Sequence, residues 1–200
     1  MSMKDRIKDL AIALAPRLIE IRRHLHSHPE LSGQEQQTAA YVAGVLSSCG
    51  LQVREAIGKV GVVGELKGSS TDTRRLAIRT DMDALPIQER TKLEFASRMP
   101  GIMHACGHDV HTTVGLGTAM ILSQLGEALP GSIRFLFQPA EEIAQGAQWM
   151  VEDGVMNEVD AILSVHVFPS IPAGKVGIRY GALTAAADDL EITIVGESGH

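Results

Sequence analysis

Aromatic side chains are scarce in this sequence, at 4% of 200 residues. Any core must therefore be built from Ala, Val, Leu, Ile and Met. Cysteine is scarcer still. Cys49 and Cys106 are the two in the chain, which excludes a disulfide-dense secreted scaffold and leaves a single bridge open. Basic charge is outnumbered, with 18 Lys and Arg against 24 Asp and Glu for a formal net charge of −6. General nucleic-acid binding wants a basic field, and the pairs Arg22-Arg23 and Arg74-Arg75 are too small to supply one. No apolar run approaches the ~20 residues of a membrane span. The longest candidate, 114–122, is broken by Gly115 and Gly117. The first six residues mix both signs of charge around no apolar centre, unlike a signal peptide. The expectation is a soluble cytoplasmic protein with neither nucleic acid nor membrane as partner. The 44% apolar and 21% charged composition suits a globular chain. The length allows one domain, or one and part of a second.

Periodicity predicts the elements. Ile7, Leu10, Ala11, Leu14, Leu18, Ile21 and Leu25 recur in steps of three and four, one apolar helix face over 4–25. Pro16 is expected to split or kink that helix. A second helix is predicted over 34–49, with Gly50 as its C-terminal cap. The period then shortens, and strands are expected at 51–54, 61–67 and 76–80, with a turn at 68–70. Helix returns over 109–125, strand over 132–137, helix over 142–151 and strand over 161–167. This alternation predicts an α/β sheet with helices on both faces. Residues 174–180 and 189–195 read as two further strands with no helix between them, a hairpin-like continuation or the opening of a new module.

Four segments carry residues suited to chemistry. Met103 to His111 packs three histidines, Cys106 and Asp109 into nine residues. In an extended segment residues i and i+2 face the same way, so Cys106 and His108 can address one divalent ion, or two neighbouring ones, of the zinc kind. The ordinary alternative is a buried thiol beside capping polar groups, with Asp109 as N-cap. Glu141 and Glu142 follow the apolar run 132–137. Adjacent acids point apart, so one can bind metal while the other moves protons; the alternative is an acid-decorated helix N-terminus. His166 ends another apolar strand, and Asp81 and Asp83 follow a third. Ligands in open α/β sheets bind beyond strand carboxyl ends, so four such ends could converge. Cys, His and Glu are the ligand types of a metallohydrolase, and a spare Glu is the base it needs.

The combined motifs resemble the M20 metallopeptidases, in the amidohydrolase branch of hippurate hydrolases, N-acyl-L-amino-acid amidohydrolases and plant auxin-conjugate hydrolases. The segments carrying the resemblance are Arg22-Arg23-His24-Leu25-His26 with His28-Pro29-Glu30-Leu31, Asp81-Met82-Asp83-Ala84-Leu85-Pro86, His104 through His111, Gln138-Pro139-Ala140-Glu141-Glu142, and His166. The resemblance implies a mixed sheet with helices on both faces, like a zinc exopeptidase, over residues 1–184. It implies the start of an α+β lid and dimerisation domain over 185–200. It implies Cys106, His108, Glu142 and His166 as metal ligands, Glu141 as the base that activates water, and Asp83 as an acid supporting the site. His200 matches a lid histidine that polarises the substrate carbonyl across a dimer. His24, His26, His104 and His111 match no ligand. The implied cofactor is a pair of divalent ions (Zn, Mn, Ni or Co), the implied substrate an N-acyl amino acid, and the implied full-length assembly a homodimer.

Members of this family continue through the lid and supply a further His ligand near the C-terminus, so the chain is expected to be the N-terminal part of a longer protein. Two other readings stand beside the amidohydrolase. One is an inactive fragment serving at most as a metal- or partner-binding module. The other is an aminopeptidase or dipeptidase of the same family.

Overall fold

The computed structural model describes residues 2–68, 74–184, 190–197 and 199. The chain divides into two units, residues 1–167 and 168–200. In the first unit, α1 (Met3–Ser27) opens on a capping box. Ser2 Oγ accepts from the Asp5 N–H at 3.2 Å, and Asp5 Oδ2 accepts from the Ser2 N–H at 3.1 Å. Pro16 lies inside this helix and does not split it. The expected break is absent for a local reason: Pro16 and Ile12 both lie on the exposed side, where water can serve the Ile12 carbonyl that proline leaves unbonded. Helix α2 (Gln36–Ser48) ends as its sequence predicts. Gly50 takes φ 79°, its N–H reaches the Ser47 carbonyl at 3.0 Å, and the Leu51 N–H reaches Leu46 at 3.3 Å.

Five strands follow: β1 (Gln52–Ile57), β2 (Gly61–Leu66), β3 (Arg75–Asp81), β4 (Ser132–Gln138) and β5 (Ala161–Ser164). They form one mixed sheet in the order β1-β2-β4-β3-β5. The pairs β1–β2 and β2–β4 are antiparallel. β3 runs parallel to β4, with Asp81 opposite Gln138, and parallel to β5, with Arg79 opposite Ser164. The carboxyl ends of β3, β4 and β5 therefore share one edge. Helix α3 (His108–Ser123) and the short α4 (Gly146–Glu152) complete the unit.

Strand alternation sorts the core into two layers. Val62, Phe135 and Phe137 pack with Ile21 and Leu25 of α1, Val42 and Leu46 of α2, and Leu116 and Ala119 of α3. Their neighbours Val63 and Leu136 face the other way, with Ala77, Met150 of α4 and Val155. The mixed α/β sheet with helices on both faces is thus the observed architecture.

Three local expectations need correction. The helix predicted over 142–151 begins only at Gly146, because the chain first makes a turn through left-handed Ala140 (φ 50°) and Ala144 (φ 53°). Strand β5 stops at Ser164, short of 167. In the second unit the strand predicted over 174–180 is absent, as is the described part of the other, 190–195. Their alternating apolar residues, Val176, Ile178, Ile192 and Ile194, are exposed. Strand-like sequence needs a partner ladder to become a strand, and none pairs with these segments among the described residues. Of the turn expected at 68–70, residues 69 and 70 lie outside the described residues.

Candidate metal centre

The shared edge of the sheet gathers the singled-out residues. β3 delivers Asp81 and Asp83, both buried. β4 leads into the turn bearing Glu141 and Glu142, and β5 leads to His166. Cys106 and His108 arrive otherwise than expected, Cys106 in the loop that enters α3 and His108 as the first residue of that helix, rather than at a strand end. Gly107 is the N-cap of α3 at φ 96°, a left-handed position, and a Cβ there would stand 2.5 Å from Val167 Cγ2. Glycine is required on both counts. Asp109 is therefore not the N-cap. Its carboxylate is turned inward to Arg22 Nε (2.9 Å) and His26 Nδ1 (2.8 Å).

The turn after β4 closes on itself. The N–H groups of Gln145 and Gly146 both reach the Ala140 carbonyl, at 3.3 and 3.1 Å, and the Ala144 N–H reaches Glu141 at 2.8 Å. Glu141 and Glu142 thus sit on a closed turn rather than on a helix N-terminus. Two buried acids from elsewhere fix that turn. Glu35 Oε1 accepts from the Ala140 N–H at 2.7 Å, and Asp83 Oδ2 accepts from the Glu142 N–H at 3.0 Å.

The reactive atoms lie close together. Cys106, His108 and Glu142 present ligand atoms all within 4.8 Å of one another. His108 Nε2 stands 3.6 Å from Glu142 Oε1 and 3.7 Å from Glu141 Oε2. His166 joins through Cys106, with Nε2 3.5 Å from Sγ. A second triplet within the same limit is Asp81, His108 and His111, all buried. His200 lies outside the described residues.

Orientation is set by the groups behind. Asp83 Oδ1 accepts from His108 Nδ1 at 3.1 Å, and the Ser32 hydroxyl donates to Asp83 Oδ2 at 2.6 Å. This arrangement commits Nδ1 of His108 to Asp83 and leaves Nε2 aimed at Glu142. His166 Nδ1 donates to the Val167 carbonyl at 2.7 Å, which directs its Nε2 lone pair toward Cys106. Arg79 spans Asp81 Oδ2 (2.9 Å) and Gln138 Oε1 (2.8 Å).

Electrostatics separate the supporting groups from those at the front. Burial would raise Asp81 and Asp83, but His111 and His108 respectively outweigh it and hold both below the usual carboxylate range. Burial raises Glu142, with Glu141 and Asp83 adding to it against the pull of His108. Burial pushes the Cys106 thiol up to about 12, helped by Glu142, Glu141 and Asp81. His108 Nε2 and Glu142 Oε1 are buried with no hydrogen-bond partner. Facing unsatisfied atoms of a soft-and-hard ligand set, beside a surplus of carboxylates, fit a divalent cation, whose charge would bring the thiol to thiolate. Cys106, His108 and Glu142 form the candidate group, His166 stands beside it at Cys106, and Glu141 is the neighbouring carboxylate outside it.

Of the other residues, Glu35 carried no signal in the sequence, and Glu30, His26, His104 and His24 lay in the family motifs without an assigned role. Glu35 stands where a first-turn acid would, yet it is fully buried, and Glu30 instead caps α2 through the N–H groups of Gln37 (3.1 Å) and Thr38 (2.7 Å). His26 joins Asp109 to Glu89, with Nε2 3.2 Å from Glu89 Oε1. His104 is held neutral by burial, at about 4, and neither ring nitrogen has a partner. His24 stacks on Tyr41, ring centroids 4.4 Å apart, away from the ligand set.

Fold and edge together define a mixed α/β domain with a candidate metal-binding cluster at the carboxyl ends of its parallel strands. The chain belongs to peptidase family M20/M25/M40, whose sequence profile matches residues 77–199. It is 76% identical over 194 residues to a probable hydrolase of Synechocystis sp., covering 97% of this chain and 49% of that protein. It is 49% identical over 198 residues to an N-acyl-L-amino acid amidohydrolase of Geobacillus stearothermophilus, covering 98% of this chain and 53% of that one. The chain thus spans about half the length of these relatives. Among solved structures it is similar to the YXEP protein of Bacillus subtilis, described as a dinuclear metal binding peptidase from the M20 family. There the TM-score is 0.80 and the identity 49%, over 84% of this chain and 46% of that one.

Proposed function

We propose that the protein is a metal-dependent hydrolase of the amide bond in N-acyl amino acids, such as hippurate-like conjugates. The observation that carries the reading is the facing pair His108 Nε2 and Glu142 Oε1, 3.6 Å apart and without hydrogen-bond partners, with Cys106 beside them and Glu141 left over. Cys106, His108, Glu142 and His166 would hold one or two divalent ions, of zinc, manganese, nickel or cobalt. Such ions acidify water and polarise a carbonyl oxygen when bound.

The chain's own groups do the rest. Asp83 and Ser32 keep His108 aimed. Glu141, whose side chain is 39% exposed, is open to solvent and takes the proton of the attacking water. It then returns that proton to the leaving amine. On this reading residues 1–184 belong to the catalytic domain, 185–200 begin a lid, and His200 assists at the substrate carbonyl of a homodimer, as the family resemblance implies. The free thiols of Cys49 and Cys106 suit a reducing cytoplasm.

The test is elemental analysis of the purified protein together with hydrolysis of N-acyl amino acids by the unchanged chain and by Glu141→Gln. The expected result is stoichiometric divalent metal in both, with the variant slower by about 10²–10⁴-fold. Equal rates would remove Glu141 from the chemistry. Metal without turnover in either protein would mark a binding module, and release of amino acids from free-amine peptides would mark an aminopeptidase or dipeptidase.

A further inference from the structure

His111 belongs to none of the ligand assignments above, yet its ring is fully buried at the same edge. Both nitrogens are engaged. Nδ1 lies 2.7 Å from Asp81 Oδ1, and Nε2 lies 2.9 Å from the backbone nitrogen of Val167. A backbone N–H only donates, so Nε2 is the acceptor and the proton sits on Nδ1, donated to Asp81. Asp81 is itself anchored. Its other oxygen meets Arg79 at 2.9 Å, and its carbonyl accepts from the Thr112 hydroxyl at 2.7 Å. The neutral tautomer of His111 is thus fixed from both sides.

The bond to Val167 falls at a decisive point of the chain. The β3–β5 ladder ends with Arg79 opposite Ser164, so sheet pairing does not govern residues 165–167. His166 lies on that segment, next to Val167, with its Nε2 3.5 Å from Cys106 Sγ. The His111 and His166 rings stand 4.6 Å apart, centroid to centroid. The hydrogen bond from the Val167 N–H to His111 Nε2 holds the chain at this point, between the end of β5 and Cys106.

We infer that His111 is a positioning residue which, braced by Asp81, sets His166 opposite Cys106. The inference rests on the proposed metal centre and adds a role to it. It also decides against the second triplet, Asp81, His108 and His111, as a separate cation site. To ligate through Nε2 His111 must release Val167, and to ligate through Nδ1 it must release Asp81. Outer groups that orient ligands in this way typically govern metal affinity by about 10–100-fold.

The test titrates the full chain with Co²⁺, following thiolate-to-cobalt absorption and measuring Kd by competition with a chelator. His111→Leu removes both hydrogen bonds, whereas His111→Gln supplies an oxygen for the Val167 N–H and an NH₂ for Asp81. The expected result is an affinity about 10–100-fold weaker for His111→Leu, with recovery to within about threefold of the unchanged protein for His111→Gln. In a His166→Ala background, His111→Leu should add little further loss, because its effect runs through His166.

An unchanged Kd in His111→Leu overturns the inference, as does a full additive loss in the His166→Ala background. A His111→Gln variant as weak as His111→Leu also overturns it, since the ring nitrogen would then be a ligand. Absence of cobalt uptake by the unchanged protein overturns the metal centre itself, a result distinct from these. A measurement on the unchanged chain holds whether or not His111→Leu folds. ¹⁵N resonances of the histidine rings should show His111 protonated on Nδ1 before and after Zn²⁺ is added, with the Nε2 resonances of His108 and His166 shifting. A metal-induced shift at either His111 nitrogen refutes the assignment.

Discussion

Replacing Glu35 probes the support of the Glu141–Glu142 turn. Glu35 is fully buried, its Oε1 accepts from the Ala140 N–H at 2.7 Å, and its Oε2 has no partner. Burial raises its carboxyl above the ordinary 4.5, against the backbone N–H groups of Ala140, Glu35 and Gly33 that favour the carboxylate, and Asp83 adds to the rise. The sign of the linkage follows. Below 4.5 the carboxyl is protonated in both folded and unfolded chains, and the favourable contribution of the neutral form is fully present. As pH climbs through the raised folded value, that contribution is lost. Glu35→Gln mimics the neutral form at every pH, so its stability advantage over the unchanged protein should be near zero at the acid end and open as pH rises. Glu35→Leu should behave differently. It strands the buried Ala140 N–H at a cost of about 1–3 kcal/mol, several degrees of unfolding midpoint in a chain of this size, at any pH. Urea unfolding between about pH 4 and 9 measures all three proteins. Parallel curves for Glu35→Gln and the unchanged protein, or a Glu35→Leu variant as stable as Glu35→Gln, would refute the reasoning.

Other perturbations follow from the same geometry. At Gly146 an added Cβ would lie 1.6 Å from the Pro139 carbonyl oxygen, a backbone atom that cannot swing away. Gly146→Ala should therefore cost at least about 3 kcal/mol in urea unfolding, while Gly126→Ala, which meets nothing within 4 Å, should stay within about 0.5 kcal/mol. His26 faces carboxylates at both nitrogens, and the Asp109 hydrogen bond holds it above its ordinary 6.5 against the pull of burial. That stability is complete below 6.5 and fades as pH rises through the raised value. The contributions of Asp109, held low against burial by His26, and of Glu89, held low against burial by the Thr91 hydroxyl and the Ser97 N–H and then by His26, fade as pH falls from their ordinary 3.8 and 4.5. The stability difference between the unchanged protein and His26→Gln should therefore peak between about pH 5 and 6 and shrink on both sides. A difference that grows above pH 7 contradicts the pairing.

The strands, and the edge at which the candidate site residues gather, were legible in the sequence for one reason: apolar runs of strand length ended in residues with ligand chemistry, and parallel ends necessarily share an edge. Asp81, Asp83, Glu141, Glu142 and His166 could be placed on that basis. What stayed hidden was long-range or conformationally atypical. Glu35 meets Ala140 across 105 residues, and nothing local distinguishes it from a helix-start acid. The Glu141–Glu142 turn depends on alanines in left-handed conformation, a role the alanine side chain does not announce. His111 looked like one more residue of a histidine-rich motif because the Val167 N–H that fixes its tautomer is 56 residues away. The strands expected beyond 174 fail for the converse reason: their local pattern is sound, and the partner ladder is what they lack.

The edge gathers four carboxylates, Asp81, Asp83, Glu141 and Glu142, and the way the protein partitions that charge bears on what the edge is for. Asp81 is closed by His111 and Arg79, and Asp83 by His108, Ser32 and the Glu142 N–H. Both are accordingly held low. Glu142 and Cys106, one layer forward, are held high, and Glu142 Oε1 faces His108 Nε2 with neither atom satisfied. An open buried acceptor costs about 1–3 kcal/mol, and at this edge Glu142 Oε1 is left open directly opposite the open His108 Nε2. Closing Asp81 and Asp83 while leaving Glu142 and His108 open to each other creates a carboxylate-rich cradle. Its front atoms gain most from a multivalent cation, and its rear atoms already fix where that cation's ligands point. Asp83 carries three parts of that partition at once: it orients His108, accepts from the Glu142 N–H, and supplies charge behind both.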